Sequence, residues 1–478
     1  MWWKPLTKFF LDQRGCAKNQ VDGELIISNL LGSGFEESQS AEEADLIIIN
    51  SCGFIESAKK ESLDALLGAR KKYPSKKIIL AGCLAQRYAK IFTDELPEAD
   101  GIFGNGDLSK AAAFAKKVMG GKREVLTPAQ RGVSCGERLK LLSYKSSAYV
   151  KITEGCSNHC SFCAIPLIRG ELRSRDEDDI IQEIKTLLER GIFEINLIGQ
   201  DLAAYGTEFK NAKKSSKAKK SPLYKLLKKI SALKGRFWIR LLYIHPDHFN
   251  TDILELLKKD GRILPYFDIP FQSGDDNVIR AMNRKNSAAY YKSLVQNIRK
   301  DFSSAALRTT FLAGFPGESQ EAAQNTLDFL NEIQPDWSGA FAYSKEEDTP
   351  AALLKGQTPK KNAAARVEAL RQAQERITQD RLESRVRQGK DFLEYDVLIE
   401  EIVESPSGSQ KDGKDLQDQE AAAYAIGRAW FQAPEVDGNI VLQYEPNSKN
   451  AAAVKPGAIV RVRALAVSGV DIYARLID

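Results

Sequence analysis

The stretch Glu154-Gly155-Cys156-Ser157-Asn158-His159-Cys160-Ser161-Phe162-Cys163 decides how this chain reads. Its cysteines are spaced C-x3-C-x2-C on one tight loop. Three thiolates so placed can hold three irons of a 4Fe–4S cluster and leave the fourth iron without a protein ligand. An iron with an open coordination site can bind a substrate or cofactor; one saturated by four cysteines only passes electrons. Tetrahedral zinc would need a fourth Cys or His nearby, and His159 is poorly placed between two of the ligands.

Around this loop the pattern is α/β. Ala148-Tyr149-Val150-Lys151-Ile152 reads as the strand that leads into it. Further strands are expected at Glu194 to Ile198, Phe237 to Leu242, Tyr266 to Ile269, Leu307 to Leu312 and Gly339 to Tyr343. Six strands with intervening helices fit a partial α/β barrel over residues 148–390, which places its chemistry at the carboxyl ends of the strands. The unit closes with a long charged helix over 361–390, free of internal Gly and Pro.

Residues 8–125 alternate strand and helix, which implies an open parallel sheet of the flavodoxin type. The strands are expected at Phe9-Phe10-Leu11, Leu46-Ile47-Ile48-Ile49 and Ile78-Ile79-Leu80, with helices over Gly23 to Leu31 and Ser57 to Lys72. Cys16, Cys52 and Cys83 sit in glycine-containing turns, the latter two directly after apolar runs. Loops at the carboxyl ends of parallel strands converge on one sheet edge, so these three thiols suggest a second cluster with an open iron. Taken singly, each could be a buried small hydrophobe. Residues 126–147 read as a linker, with Cys135 as a spare thiol. Residues 391–478 carry short strands at Tyr395 to Ile399, Ala425 to Trp430, Asn439 to Leu442 and Ile459 to Arg463, which suggest a small β-barrel. Ser405 to Gln419 is polar and of low complexity, as expected of an insertion, and Lys210 to Lys220 reads as a solvated loop. The first seven residues read as a short extension.

With 478 residues the chain is too long for one ordinary core. Its net charge of +5 permits a nucleic-acid partner without requiring one. No apolar run approaches a membrane span. Seven cysteines and no export signal point to a reducing, cytoplasmic setting.

Three dispersed cysteines, then C-x3-C-x2-C, then a barrel resembles the methylthiotransferases of the radical S-adenosylmethionine (SAM) superfamily over nearly the whole chain. The resemblance implies two 4Fe–4S clusters, SAM, a terminal OB-like TRAM barrel, and conversion of an unactivated C–H bond to C–S–CH3. Gly15-Cys16-Ala17-Lys18-Asn19-Gln20-Val21-Asp22, Cys163 to Gly170, Arg308-Thr309-Thr310-Phe311, Phe341 to Glu347 and Gln432 to Gly438 are similar to the RimO-type branch. That branch modifies the β-carbon of an aspartate in small-subunit ribosomal protein twelve, as free protein or within the subunit. Ser273-Gly274 is instead closer to the branch that modifies isopentenylated tRNA adenosine, the alternative substrate. A non-catalytic iron–sulfur or RNA-binding protein is the further alternative.

The resemblance implies roles for single residues. Cys156, Cys160 and Cys163 would hold the SAM-binding cluster, and Cys16, Cys52 and Cys83 the sulfur-presenting one. Phe162 would face the adenine or pack in the core. Gln200 and Asp201 end a strand at the same rim, where Asp201 would hold a ribose hydroxyl or a substrate group, or cap a turn. Gly314 and Gly317 would form the adenine-contacting turn or a plain Gly-Pro turn. Arg173 and Arg175 would pair with a carboxylate of SAM or substrate, or lie on a solvated loop. An electron donor such as flavodoxin or ferredoxin is implied, and the TRAM barrel allows a nucleic-acid contact. His245 and His248 read as structural.

Overall fold

The computed structural model describes residues 6–209, 220–403 and 423–477. The expectations for residues 1–5, for the lysine-serine run over 210–219 and for Ser405 to Gln419 fall outside the described residues.

The first sheet contains β1 (Lys8–Gln13), β2 (Glu36–Glu37), β3 (Leu46–Ser51), β4 (Lys77–Gly82), β5 (Gly101–Phe103) and β6 (Glu124–Leu126). All are parallel, in the order β2-β1-β3-β4-β5-β6. That is the flavodoxin-type order, whose ligand crevice opens where the order reverses, beside β1 and β3. Both faces are covered by α1 (Ala17–Leu31), α2 (Glu56–Lys72), α3 (Cys83–Glu95) and α4 (Ala111–Met119), which is why β3 is buried along its whole length. Helix α1 starts six residues before the expected Gly23 and runs through it. A Cβ at Gly23 would meet the Gln13 side chain at 2.2 Å, so this glycine serves close packing and does not break the helix.

After an irregular segment over 127–146 comes the central sheet. Its strands are β7 (Ser147–Lys151), β10 (Glu194–Ile198), β11 (Trp238–Leu241), β12 (Ile263–Asp268), β13 (Ala306–Ala313) and β14 (Trp337–Ala342), while β8 (Thr153–Glu154) and β9 (Arg173–Ser174) form a small ribbon beside it. The six strands pair in parallel in sequence order, the open barrel that was expected. The helices are α5 (Ile165–Arg169), α6 (Glu177–Glu189), α7 (Pro222–Ser231), α8 (Asp252–Leu257), α9 (Asp276–Ala281), α10 (Ala288–Asp301), α11 (Gln320–Ile333) and α12 (Lys360–Val386). Period-two alternation divides each strand between two cores. Ala148, Val150, Ile195, Leu197 and Ile239 pack under the helices. Tyr149, Ile198, Tyr266 and Trp337 turn the other way, into a core shared with the first and last units.

A ribbon of β15 (Arg387–Gln388) and β16 (Asp391–Phe392) leads into a closed barrel ordered β17-β18-β19-β21-β20. Its strands are β17 (Glu394–Val403), β18 (Ala423–Arg428), β19 (Ile440–Tyr444), β20 (Ile459–Ser468) and β21 (Asp471–Leu476). The barrel docks on its own chain, on the inner face of the central sheet near the strand starts. Trp337 Nε1 donates to Phe431 O at 2.9 Å, and Arg308 pairs with Asp437 at 2.6 Å. Arg428 pairs with Glu194 at 2.6 Å, and Glu194 is shared with Arg240 at 2.8 Å. This closes the end of the sheet opposite the cysteine loop. Among the described residues no helix is long and apolar enough to cross a membrane.

Candidate functional site: two thiol loops facing one cleft

The C-x3-C-x2-C loop leaves the carboxyl end of β7 and is held from several sides. Cys156 N donates to Gly170 O, Cys163 N to Cys160 O, and Ser161 N to Met282 O, all within 3.1 Å. Burial pushes the Cys156 and Cys163 thiols up to about 12, and the neighbouring loop cysteines push the same way. Thiols that are costly to ionise alone become favourable once a cationic iron cluster compensates their charge. All three are free. The loop lines a cavity of about 340 Å³ together with Asn158, Asp201, His245 and His248.

Cys16, Cys52 and Cys83 follow β1, β3 and β4 and meet at the reversal of strand order. Cys16 is the N-cap of α1, and Cys83 opens α3. Gly82 precedes Cys83 at φ +91°, and a Cβ there would lie 2.7 Å from Ser51 O, so only glycine makes this turn. Asn19 binds the loops together, its Nδ2 donating to Arg14 O at 2.7 Å and Asn50 O at 3.1 Å. Burial pushes Cys83 up to about 12, while the Arg169 guanidinium, 3.1 Å from its sulfur, pulls the other way. The three thiols are close enough that Cys16 and Cys52 both raise Cys83. Cys16 is the exposed member, and Cys135 is exposed and apart from both groups.

A buried ion network joins the two loops. Lys151 pairs with Asp22 and Glu154 at 2.5 Å each, and Arg169 pairs with Glu154 at 2.5 Å and Asp22 at 2.9 Å. Asp22 belongs to α1, in the first unit; the other three belong to the central one. Burial would raise Glu154, but Arg169 and Lys151 outweigh it and hold the carboxyl at about 2. The geometry of both sites fits cluster binding: two sets of three free sulfurs, backed by cations that favour bound thiolate.

The remaining expected residues divide. Phe162 packs beside the cluster of Val278, Met282 and Phe315, so it meets the Gly314 to Gly317 turn. Gly314 and Gly317 both have positive φ, and Gly314 N donates to Glu318 at 2.6 Å. Gln200 Nε2 lies 3.4 Å from Glu154. Asp201 caps the turn that follows β10. One of its oxygens accepts from Ala203 N and His245 N, the other from Asn158 and His248, so it is already committed to holding the loop. Arg175 is buried, pairing with Glu183 and donating to Lys151 O. Arg173 donates to Gly132 O and Glu171 O, which ties the linker to the ribbon. Ser273 and Gly274 are packed against α11, where a Cβ on Gly274 would meet Phe329 Cβ at 2.3 Å. Both residues thus sit in the packing between the loop after β12 and α11. The histidines, by contrast, were undervalued in the sequence. His248 Nδ1 lies 2.7 Å from Asp201, and His245 Nε2 lies 3.7 Å from Cys160 Sγ.

The comparisons agree with this layout. Residues 8–104 match the Uncharacterized protein family UPF0004, 150–330 the Radical SAM superfamily and 413–477 the TRAM domain. The chain is 49% identical to the ribosomal protein uS12 methylthiotransferase RimO of Treponema denticola, covering 97% of this chain and 99% of that one. It is 35% identical to the protein of that name in Carboxydothermus hydrogenoformans, covering 98% of each. Among solved structures, the radical SAM methyltransferase TsrM of Kitasatospora setae shares the fold, at TM-score 0.52 and 13% identity over 73% of this chain and 77% of that one. Fold and thiol loop together define a radical SAM enzyme, a class that works with SAM and a 4Fe–4S cluster. Within that class, the chain belongs to the RimO-type methylthiotransferases.

Proposed function

We propose that this enzyme adds a methylthio group to the β-carbon of an aspartate in ribosomal protein uS12, using two 4Fe–4S clusters. The observation that carries the reading is the pair of three-thiol loops joined by the Asp22, Lys151, Glu154 and Arg169 network. The curated relatives are uS12 methylthiotransferases by name. When bound, SAM and its cluster supply the radical that takes hydrogen from a carbon no side-chain base could deprotonate. Cys156, Cys160 and Cys163 would hold the cluster that binds SAM. Cys16, Cys52 and Cys83 would hold the second cluster, which would supply the sulfur. Phe162 and the Gly314 to Gly317 turn form the apolar wall for the adenine, and Gln200 braces Glu154 beneath it. Arg173, half-exposed at the ribbon, borders the substrate entrance. A small reduced protein such as flavodoxin or ferredoxin delivers the electrons, and the TRAM barrel meets ribosomal RNA when the substrate is the assembled subunit.

The test is anaerobic incubation of iron–sulfur-reconstituted protein with SAM, sulfide and reductant. The substrate is an equal mixture of uS12 and hypomodified tRNA, read by mass spectrometry. The expected results are about eight irons per chain and a methylthio mass gain on one aspartate peptide. The same gain on tRNA adenosine would overturn the substrate assignment.

A further inference from the structure

We propose that Lys18 binds the side-chain carboxylate of the substrate aspartate and is the residue that tells aspartate from its neutral analogues; this rests on the substrate reading above. Lys18 is only 8% exposed. Its Nζ sits 2.8 Å from the centroid of the Tyr243 ring, and among the described residues no carboxylate oxygen lies within ion-pairing distance of it. Most other buried cations differ, Arg284 excepted, which is held by the Pro270 and Phe271 carbonyls. Lys151, Arg138, Arg169, Arg240 and Arg428 each face a carboxylate at 2.5–2.9 Å. A buried ammonium without a counter-ion is costly, and an aromatic face compensates it only in part. Lys18 feels the negative charge of Cys16 and of Asp268, but with no carboxylate in contact it is placed to receive one that arrives from outside.

Its position identifies that anion. Lys18 lies in the first turn of α1, two residues beyond Cys16. Tyr243 lies just past β11, at the carboxyl end of the central sheet, where its N–H donates to Asp268 at 3.1 Å and its C=O accepts from Leu202 N at 3.0 Å. Tyr243 adopts φ +69°, a conformation that costs a bulky residue energy and persists where the surroundings enforce it. The strained ring holds the ammonium at the junction between the Cys16 loop and the rim of the barrel. In aspartate the carboxylate carbon is bonded directly to the β-carbon. A residue that fixes the carboxylate therefore fixes the reacting carbon within one bond, and Lys18 does so beside the loop that presents sulfur. Asparagine at the same position leaves the ammonium without its counter-ion.

The experiment measures Kd by fluorescence anisotropy, anaerobically, for the reconstituted full-length enzyme with SAM. The probes are a uS12 peptide carrying the target aspartate and the same peptide with asparagine there. The wild type should bind the aspartate peptide at least about tenfold more tightly. In Lys18→Met and Lys18→Gln that preference should vanish, with the asparagine peptide bound as before, and Lys18→Arg should retain most of it. A folding or iron-loading defect would weaken both peptides alike. Equal weakening, a preference that survives in both neutral variants, or a wild type that does not discriminate would each overturn the proposal. Failure of the substrate reading looks different: the wild type would then leave uS12 unmodified altogether.

Discussion

A backbone amide determines where His245 carries its hydrogen. Asp247 N donates to His245 Nδ1 at 3.2 Å, so the proton is on Nε2, directed at Cys160 Sγ 3.7 Å away. Burial, reinforced by Arg284, lowers this imidazole to about 3, so it stays neutral at working pH. A donor aimed at a cluster sulfur stabilises the more negative, reduced state and raises the reduction potential. His245→Phe should therefore lower the midpoint of the SAM-binding cluster by roughly 40 mV, the equivalent of one net hydrogen bond of ~1 kcal/mol in a one-electron couple. A redox titration followed by electron paramagnetic resonance reads this, and an unchanged midpoint would mean that the Nε2 hydrogen does not act on the sulfur. The six cysteines were legible in the sequence because a spacing and three strand-end turns are local signals. Turn capping by Asp201 was legible as one of its readings, but its other partners and the aim of His245 at Cys160 Sγ were not. Their contacts come from the ends of β7, β10 and β11, which only the folded sheet brings together.

At the scale of elements, the terminal barrel is joined to the central sheet by Glu194 at the start of β10, between Arg240 and Arg428 at the end of β18. Glu194 is completely buried. Burial would raise its carboxyl, but Arg428 and Arg240 outweigh it and hold it at about 2. Glu194→Gln leaves the buried Arg240 guanidinium without a counter-charge and Arg428 with Glu400 alone, and should cost about 3–5 kcal/mol at neutral pH. The sign of the pH dependence follows from linkage. A carboxyl depressed in the folded state contributes stability above its unfolded value of about 4.3, and that contribution is lost as pH falls towards about 2. The gap between wild type and variant should therefore narrow from about pH 5 to about pH 2. Denaturant unfolding read by the fluorescence of Trp337 and Trp430 measures it, and a gap independent of pH would contradict an ionised Glu194. Pattern reveals some strands and hides others. Leu46 to Ile49, in the first sheet, was legible as an apolar run, and Glu194 to Ile198 as a strand within the α/β pattern. Strand β21 was missed because Asp471 to Leu476 alternates apolar residues with Tyr473 and Arg475, a weak signal until the barrel closes on it. Arg428, in turn, looks like any surface arginine until Glu194 lies opposite.

At the scale of the whole molecule, the proposed two-cluster reaction needs two loops from different units held at one separation. No periodicity in the sequence records that distance. Asp22, Lys151, Glu154 and Arg169 join the loops directly and are all buried at the junction, while Lys59 and Arg87 tie the first unit to Glu346 nearby. The resemblance could supply both clusters, but their mutual placement depends on charges 129 and 147 residues apart in the chain. Asp22→Asn removes the only member contributed by the first unit and leaves Lys151 and Arg169 sharing Glu154. The C-x3-C-x2-C loop keeps its own anchors to Gly170 and Met282, so SAM cleavage to deoxyadenosine should continue. Register between the loops should suffer. A misplacement of about 1 Å can cost a reaction on the order of a hundredfold, so methylthiolated product per deoxyadenosine should fall at least about tenfold. Counting both products in the same anaerobic reaction gives that ratio directly, with iron content as the control for intact clusters. A normal ratio in an iron-replete variant would mean that the network serves folding alone and that other contacts set the separation of the two loops. A depressed ratio with unimpaired cleavage would assign the network to the transfer step, since only that step requires both loops at once.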